Sequence, residues 1–464
     1  MTGPTDWLPG DDGHVPEVAA EPARSLLDPS GELRAVVGDC VHCGFCLTTC
    51  PTYELWGEEM DSPRGRIHLI SQLLDGAEAS PTAAEHLDRC LGCMACVPAC
   101  PSGVRYDRLI EAARAWATEA ESAQPVRSLP PRSARQRALR AAIFATFPYP
   151  NRLRMMTRPL RAAQRTGADR LLRGRLAERI APEIVAALRV APGRPARKEP
   201  RGRMPEFVAA RGERRAVIGM LTGCVQQVFF PQVNRATARV LGVAGCDVII
   251  PASQGCCGAL SLHDGRRAEA TAFATQLIET FEQAGVDAIV VNSAGCGSAM
   301  KEYADLLRDD PVWAGRAKAL AAKVADFSEF LARLGPAATR HPLGLTAAYH
   351  DACHLASAQR ITAQPRDLLS GIPDLAIAEL PDAGICCGSA GIYNLVQPEA
   401  AQQLGARKAA SVASTGADLV VSANPGCALQ IASALATAGQ PKPIAHVAEV
   451  LDASISGRPA SWLL

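Results

Sequence analysis

Two cysteine runs carry the residues best suited to chemistry. The first is Cys40-Val41-His42-Cys43-Gly44-Phe45-Cys46-Leu47-Thr48-Thr49-Cys50-Pro51, and the second is Cys90-Leu91-Gly92-Cys93-Met94-Ala95-Cys96-Val97-Pro98-Ala99-Cys100-Pro101. Both read C-x2-C-x2-C-x3-C-P. Three thiolates at this spacing let one tight loop wrap three corners of an iron–sulfur cubane. The fourth cysteine, carried off on the following helix, is placed for the other cluster. The spacing assigns Cys40, Cys43, Cys46 and Cys100 to one 4Fe–4S cluster, and Cys90, Cys93, Cys96 and Cys50 to a second. Gly44 and Gly92 are expected where the backbone approaches the inorganic core. Structural zinc is the rival reading, but zinc wants two ligand pairs and has no use for the third and fourth cysteines, twice over and each time before proline.

Eight further cysteines form an internal repeat. Cys224, Cys256-Cys257-Gly258 and Cys296 recur as Cys353, Cys386-Cys387-Gly388 and Cys427, at offsets of 129, 130 and 131 residues. The tails match as well, Val324 to Leu331 with Ile444 to Leu451. Four cysteines per module suffice for a metal site, with thiolate softness favouring iron–sulfur or zinc. A buried pair of small apolar residues at a glycine-rich strand end is the other reading, and composition leaves the two open. The second module also has His350-Asp351-Ala352-Cys353-His354 where the first has Leu221-Thr222-Gly223-Cys224. At most one module therefore uses histidine, and a ligand pair is weighed there against a solvated or core-satisfied one.

These residues need elements to hold them. Residues 1–30 read as a flexible lead-in rich in Pro, Gly and Asp. Residues 31–122 read as a mainly helical domain. Ile67, Ile70 and Leu74 recur at helical spacing between the runs, and Leu109 to Trp116 continues the pattern after them. Asp61-Ser62-Pro63-Arg64-Gly65-Arg66 reads as a capped turn leading into a helix, with cluster tuning or partner docking by its arginines as the functional alternative. Residues 123–212 form a basic helical linker. Between 127 and 215, 23 Lys/Arg stand against six Asp/Glu, and Leu139, Ile143 and Phe147 line an apolar face opposite arginines. An exposed Pro/Gly/Arg stretch from Ala191 to Arg203 closes it. Residues 213–335 and 336–464 read as two repeated α/β modules with parallel sheets. Short apolar runs (216–221, 248–250, 288–291, then 346–349, 375–380, 419–421) alternate there with helical segments.

The net charge of +1 over 464 residues argues against a nucleic-acid partner. The N-terminus has no basic and apolar leader, and no apolar run reaches the length of a membrane span. The 17 cysteines are thus expected as reduced thiols in a cytoplasmic protein. No glycine-rich dinucleotide fingerprint follows a predicted strand, so no flavin or nicotinamide site is expected in this chain.

In this order, Cys40–Pro51, Asp61–Ile67, Cys90–Gly103 and the two Cys-Cys-Gly modules resemble the iron–sulfur subunits of bacterial glycolate oxidase. The wider family includes subunits of lactate and glycerol-3-phosphate dehydrogenases and of heterodisulfide reductases. The long spacer from Pro51 to Arg89 resembles the helical two-cluster ferredoxins of respiratory dehydrogenases. The resemblance implies an electron-transfer subunit that receives electrons from a partner flavoprotein oxidising a 2-hydroxy acid, glycolate first, and passes them to quinone or another carrier. A peripheral position on an anionic inner membrane surface would suit the basic linker. One further cluster in the modules is the alternative seat of redox chemistry. This chain departs from heterodisulfide reductase in lacking the fifth cysteine of each module, since Ala299 and Gln430 stand three residues after Cys296 and Cys427.

Overall fold

The computed structural model describes residues 27–28, 31–76, 80–122, 132–167, 182–191, 203–336 and 338–464. The expected lead-in, apart from 27–28, and residues 192–202 of the Pro/Gly/Arg stretch lie outside the described residues.

The N-terminal part is helical because its apolar residues recur at helical spacing and its helix starts are capped. Ser62 accepts a hydrogen bond from the Gly65 N–H at 3.0 Å, and Pro63 occupies the first position of the helix Pro63–Leu74. That helix buries Ile67, Ile70, Leu73 and Leu74 against Leu109, Ile110 and Ala113 of the helix Tyr106–Ser122. Leu109 and Ile110 are fully buried, each contributing about 2 kcal/mol by removal from water.

The basic region folds back onto the chain. A capping box formed by Ser133 and Gln136 starts the helix Ala134–Phe144, so Phe147 falls beyond its end. The apolar face of this helix is covered within the chain: Ile143 and Phe144, with Leu139 and Phe147 beside them, pack on Ile392, Leu395, Leu260 and Val396. Arg132 pairs with Asp88 at 3.0 Å, and Arg140 pairs with Asp264. Met155 and Met156 on the helix Pro150–Thr166 are exposed, at 63% and 49%.

The C-terminal half repeats one sheet. In the first module β1 (Phe207–Val208), β2 (Ala216–Leu221), β3 (Cys246–Ile249), β4 (Ala288–Val291) and β5 (Val324–Asp326) lie in the order β1-β3-β2-β4-β5. In the second, β6 (Leu345–His350), β7 (Leu375–Glu379), β8 (Leu419–Ser422) and β9 (Ile444–Ala445) lie in the order β7-β6-β8-β9. Apart from β1, antiparallel to β3, every pairing is parallel, and the shared strands take the same order. The matching tails form β5 and β9, each followed by a helix. The modules face each other reciprocally. Helix Pro231–Val243 of the first packs on Val447–Ile455 of the second, and Phe327–Leu334 packs on Ala363–Ser370. One core joins both, and Arg239 clamps the buried Asp452 at 2.7 Å across the joint.

Among the described residues no helix is long and apolar enough to cross a membrane.

Candidate iron–sulfur sites

The two N-terminal loops share a backbone course. His42 and Gly44 in the first, and Gly92 and Met94 in the second, all take left-handed conformations, with φ of 54°, 86°, 64° and 58°. Those are equivalent positions in the two runs, with glycine and non-glycine exchanged. The strain at His42 and Met94 is held by the loop, as functional turns often require. The glycines leave room for a guanidinium as well. A Cβ on Gly44 would meet Arg64 Nη1 at 2.8 Å, and one on Gly92 would meet Arg114 Nη1 at 3.2 Å. Arg64 donates to the His42 carbonyl at 3.1 Å, and Arg114 donates to the Cys90 carbonyl. Each loop thus lies under an arginine.

Thiols of the two runs lie side by side. Cys40, Cys43, Cys46 and Cys100 line one small cavity, with Cys96 at its inner edge. Cys43 is exposed, as are Val41 and Phe45, so this cavity lies near the surface. Cys50, Cys90, Cys93 and Cys96 are buried. Burial pushes the Cys93 and Cys96 thiols well up, and Cys50 and Cys90 lie close enough to each to add to that rise. Thiolates persist in such a place only when a bound cation replaces their protons. This donor set fits iron–sulfur chemistry.

Beneath the second loop lies a buried charged network. Arg66, 1% exposed, donates to the His86 carbonyl at 2.6 Å, to the Asp61 carbonyl at 2.6 Å and to Thr52 Oγ1 at 3.0 Å. Asp61, fully buried, meets Arg66 at 3.2 Å, Arg89 at 3.1 Å and His86 Nδ1 at 2.9 Å. Thr52 Oγ1 lies 3.2 Å from Cys50 Sγ. Burial raises the Cys90 thiol, but Arg66, Arg114 and the Tyr106 hydroxyl together bring it below the ordinary value. Asp61–Arg66 is therefore both the capped turn and an electrostatic support for these sulfurs, two readings that the sequence had set apart.

In each module the cysteines sit past the carboxyl ends of the first three shared strands, where the strand order reverses. That crevice is where open parallel sheets bind ligands. Gly258 and Gly388 have φ of 77° and 87°, and a Cβ on them would meet a helix carbonyl, Ala270 O at 3.1 Å or Ala401 O at 2.8 Å. Only glycine lets the adjacent cysteine pair lie against that helix. Cys224, Cys256, Cys257 and Cys296 form a contiguous row, with Cys256 Sγ 3.4 Å from Cys224 Sγ. Hydrogen bonds from Cys256 and Cys296 hold the Cys257 thiol well down, while those contacts and burial push its neighbours up. Cys353, Cys386, Cys387 and Cys427 form the matching row. The remaining cysteine, Cys246, lies in the β3 core, and burial pushes it up to about 11.

The histidine pair divides. His354 is anchored through one nitrogen: its Nε2 lies 3.0 Å from the Gly92 carbonyl and its ring stacks edge-on against His263, while its buried Nδ1 has no partner. His350 is buried with neither ring nitrogen hydrogen-bonded, and desolvation pushes it down to about 3. Gln430 is tied to the Ala401 carbonyl at 2.9 Å and to Asn394 at 3.1 Å, so it is a framework residue.

Tertiary packing brings the two sets of cysteines together. Cys93 shares an apolar cluster with Leu91, Cys386 and Tyr393, with Cys353 packed beside it. A largely apolar cavity of about 530 Å³ opens between the basic helices and both modules, and Cys90, Cys224, Cys256, Cys353, Cys386 and Cys427 reach its wall. Nothing in the local spacing of the cysteines signals either feature.

Comparison with known proteins agrees with this geometry. Residues 36–104 match a 4Fe–4S dicluster domain, and 218–301 and 347–432 each match a cysteine-rich domain. Residues 135–189 match the linker region of the glycolate oxidase iron–sulfur subunit. The chain is 38% identical over 401 residues to a probable glycolate oxidase iron–sulfur subunit of Bacillus subtilis, covering 85% of this chain and 88% of that one. It is 35% identical over 408 residues to the glycolate oxidase iron–sulfur subunit of Escherichia coli, covering 87% and 91%. Lactate utilization protein A of Halalkalibacterium halodurans is 34% identical over 236 residues, 51% of this chain. With the dicluster domain, the linker region and both cysteine-rich domains all present in one order, this chain is a member of the family of glycolate oxidase iron–sulfur subunits.

Proposed function

We propose that this chain is the electron-relay subunit of a glycolate-oxidising complex, with a partner flavoprotein as electron donor. The observation that carries this reading is the match to glycolate oxidase iron–sulfur subunits along 85% and 87% of the chain. Cys40, Cys43, Cys46 and Cys100 would hold one 4Fe–4S cluster, and Cys90, Cys93, Cys96 and Cys50 a second. When bound, the clusters supply one-electron redox chemistry between a two-electron flavin and the acceptor. The chain's own residues set the conditions. Arg64 and Arg114 place positive charge over the loops, Arg66 holds it beneath Cys90, and the helices exclude water from the second site.

The exposed Val41, Cys43 and Phe45 suit the entry side, where the flavoprotein would dock. A lipophilic acceptor such as a quinone suits the 530 Å³ apolar cavity against the module cysteines. In this reading the protein works in the cytoplasm, peripherally on an anionic membrane surface. Arg152, Arg154, Arg158 and Arg161 beside the exposed Met155 and Met156 would make that contact, since the face of helix Ala134–Phe144 is covered.

The test is to purify the chain anaerobically with its co-expressed flavoprotein and add hydroxy acids one at a time. Glycolate should bleach the flavin and reduce the iron–sulfur absorbance at substoichiometric flavin. Reduction by another hydroxy acid, with glycolate inert, would refute the substrate assignment.

A further inference from the structure

The two modules share strands and cysteines, but the second buries polar groups where the first is apolar. In the sheet registers His350 of β6 pairs with Ser422 of β8, where the first module pairs Leu221 with Val291. On the helix behind them Lys408, 1% exposed, stands at the position of the fully buried Leu277. An imidazole 1% exposed with both nitrogens lacking a partner is costly, and a hydrocarbon isostere at that place demonstrably suffices in the first module. The buried hydroxyl of Ser422 also has no partner. A fold keeps such groups where something binds them.

The geometry says what that is. A ring nitrogen of His350 and the sulfurs of Cys387 and Cys427 lie within 4.8 Å of one another. These donors come from a strand end, the loop after β7 and the helix after β8, so they converge from three separate elements. Cys386 and Cys353 continue the row from Cys387. Mixed imidazole and thiolate donors are a soft set suited to iron–sulfur or zinc. The place in the fold decides for the redox-active choice, because Cys386 shares one packed cluster with Cys93 of the second N-terminal loop and Cys353 lies against the same cluster. A redox-silent ion would gain nothing from that contact.

We propose that the second module holds an iron–sulfur centre in which His350 is a nitrogen ligand beside Cys387 and Cys427, and that the first module lacks this ligand. The proposal rests on the reading that the N-terminal loops hold clusters, and adds a centre next to them. A neutral imidazole in place of a thiolate leaves the centre one unit less negative, and histidine ligation raises cluster potentials. That suits the acceptor end of a relay.

The test uses the anaerobically purified full chain, labelled with nitrogen-isotope histidine. Iron, zinc and acid-labile sulfide are measured, with pulsed electron paramagnetic resonance of the reduced protein. Iron and sulfide in excess of the N-terminal pair, with a strong isotope-sensitive nitrogen coupling in the wild type, are expected. His350→Ala should lose the coupling and the excess iron while the N-terminal signals persist. His350→Cys should keep the excess iron, lose the coupling and lower the potential of that centre. Zinc in place of the excess iron, no metal beyond the N-terminal pair, or a coupling unchanged in His350→Ala would each overturn the proposal. Absence of the N-terminal signals from wild type would instead refute the reading on which it rests.

Discussion

Replacing Arg66 with Gln should lower the reduction potential of the cluster proposed at Cys90, Cys93, Cys96 and Cys50. The guanidinium lies one hydroxyl away from a ligand sulfur: 3.0 Å to Thr52 Oγ1, which is 3.2 Å from Cys50 Sγ. A unit charge about 6 Å away, at an effective dielectric constant near 20, is worth about 3 kcal/mol. For a one-electron couple at 59 mV per factor of ten, that is a fall of about 130 mV. Asp61 opposes this field from within the same network, so Arg66→Gln with Asp61→Asn should return most of the way to the wild-type value. In the single variant Asp61 keeps Arg89 and His86 as partners at 3.1 and 2.9 Å, which leaves its charge paired and the fold in place. The assay is a redox titration followed by electron paramagnetic resonance, with iron content measured on the same sample. An unchanged or raised potential at full iron content would show that Arg66 supports the loop mechanically and does not tune it.

Cys50→Ser should damage the cluster of Cys90, Cys93 and Cys96, and a spectroscopic loss confined to the other cluster would disprove the crossed assignment. The purified chain alone should reduce no artificial dye with glycolate or lactate, and substrate-dependent dye reduction without flavoprotein would refute the relay reading. His446 should make the second module acid-sensitive. Its neutral Nδ1 accepts from the Ala448 N–H at 3.0 Å as a helix cap, and burial pushes it down to about 4. A depressed histidine stabilises fully above its unfolded value of about 6.5 and loses that contribution as pH falls toward 4, by about 3 kcal/mol in all. Relative to wild type, His446→Asn should therefore gain stability as pH drops from 7 to 4 in chemical denaturation, and parallel pH profiles would count against this.

The short-range features were legible because their chemistry is local. C-x2-C-x2-C-x3-C-P places thiols around one loop whatever surrounds it, and the runs at 40–51 and 90–101 form two loops of the same backbone course, one near the surface and one buried. The module repeat was legible for the same reason, since matched apolar runs must form matched strands. The two-residue strand β9 and the antiparallel β1 carry too few residues to signal themselves. The helix at 134–144 left its partner open because amphipathicity says that a face is covered without saying by what. Leu139, Ile143 and Phe147 match a lipid interface and a neighbouring module equally well.

His350 marks the limit most sharply. By sequence alone it was one histidine beside His354, near a cysteine, and a solvated or core-satisfied residue was the favoured description. Only the tertiary structure separates them, giving His354 the Gly92 carbonyl and leaving His350 against Cys387 and Cys427. Those residues stand 37 and 77 positions further along the chain. What joins them is the parallel order β7-β6-β8, which brings the carboxyl ends of distant strands to one crevice. The clustering of Cys93 with Cys353 and Cys386 arises in the same way, from packing between parts distant in the chain. Spacing within one loop is written in consecutive residues, whereas convergence across a sheet depends on which strands pair, and that is settled only when the whole core is buried.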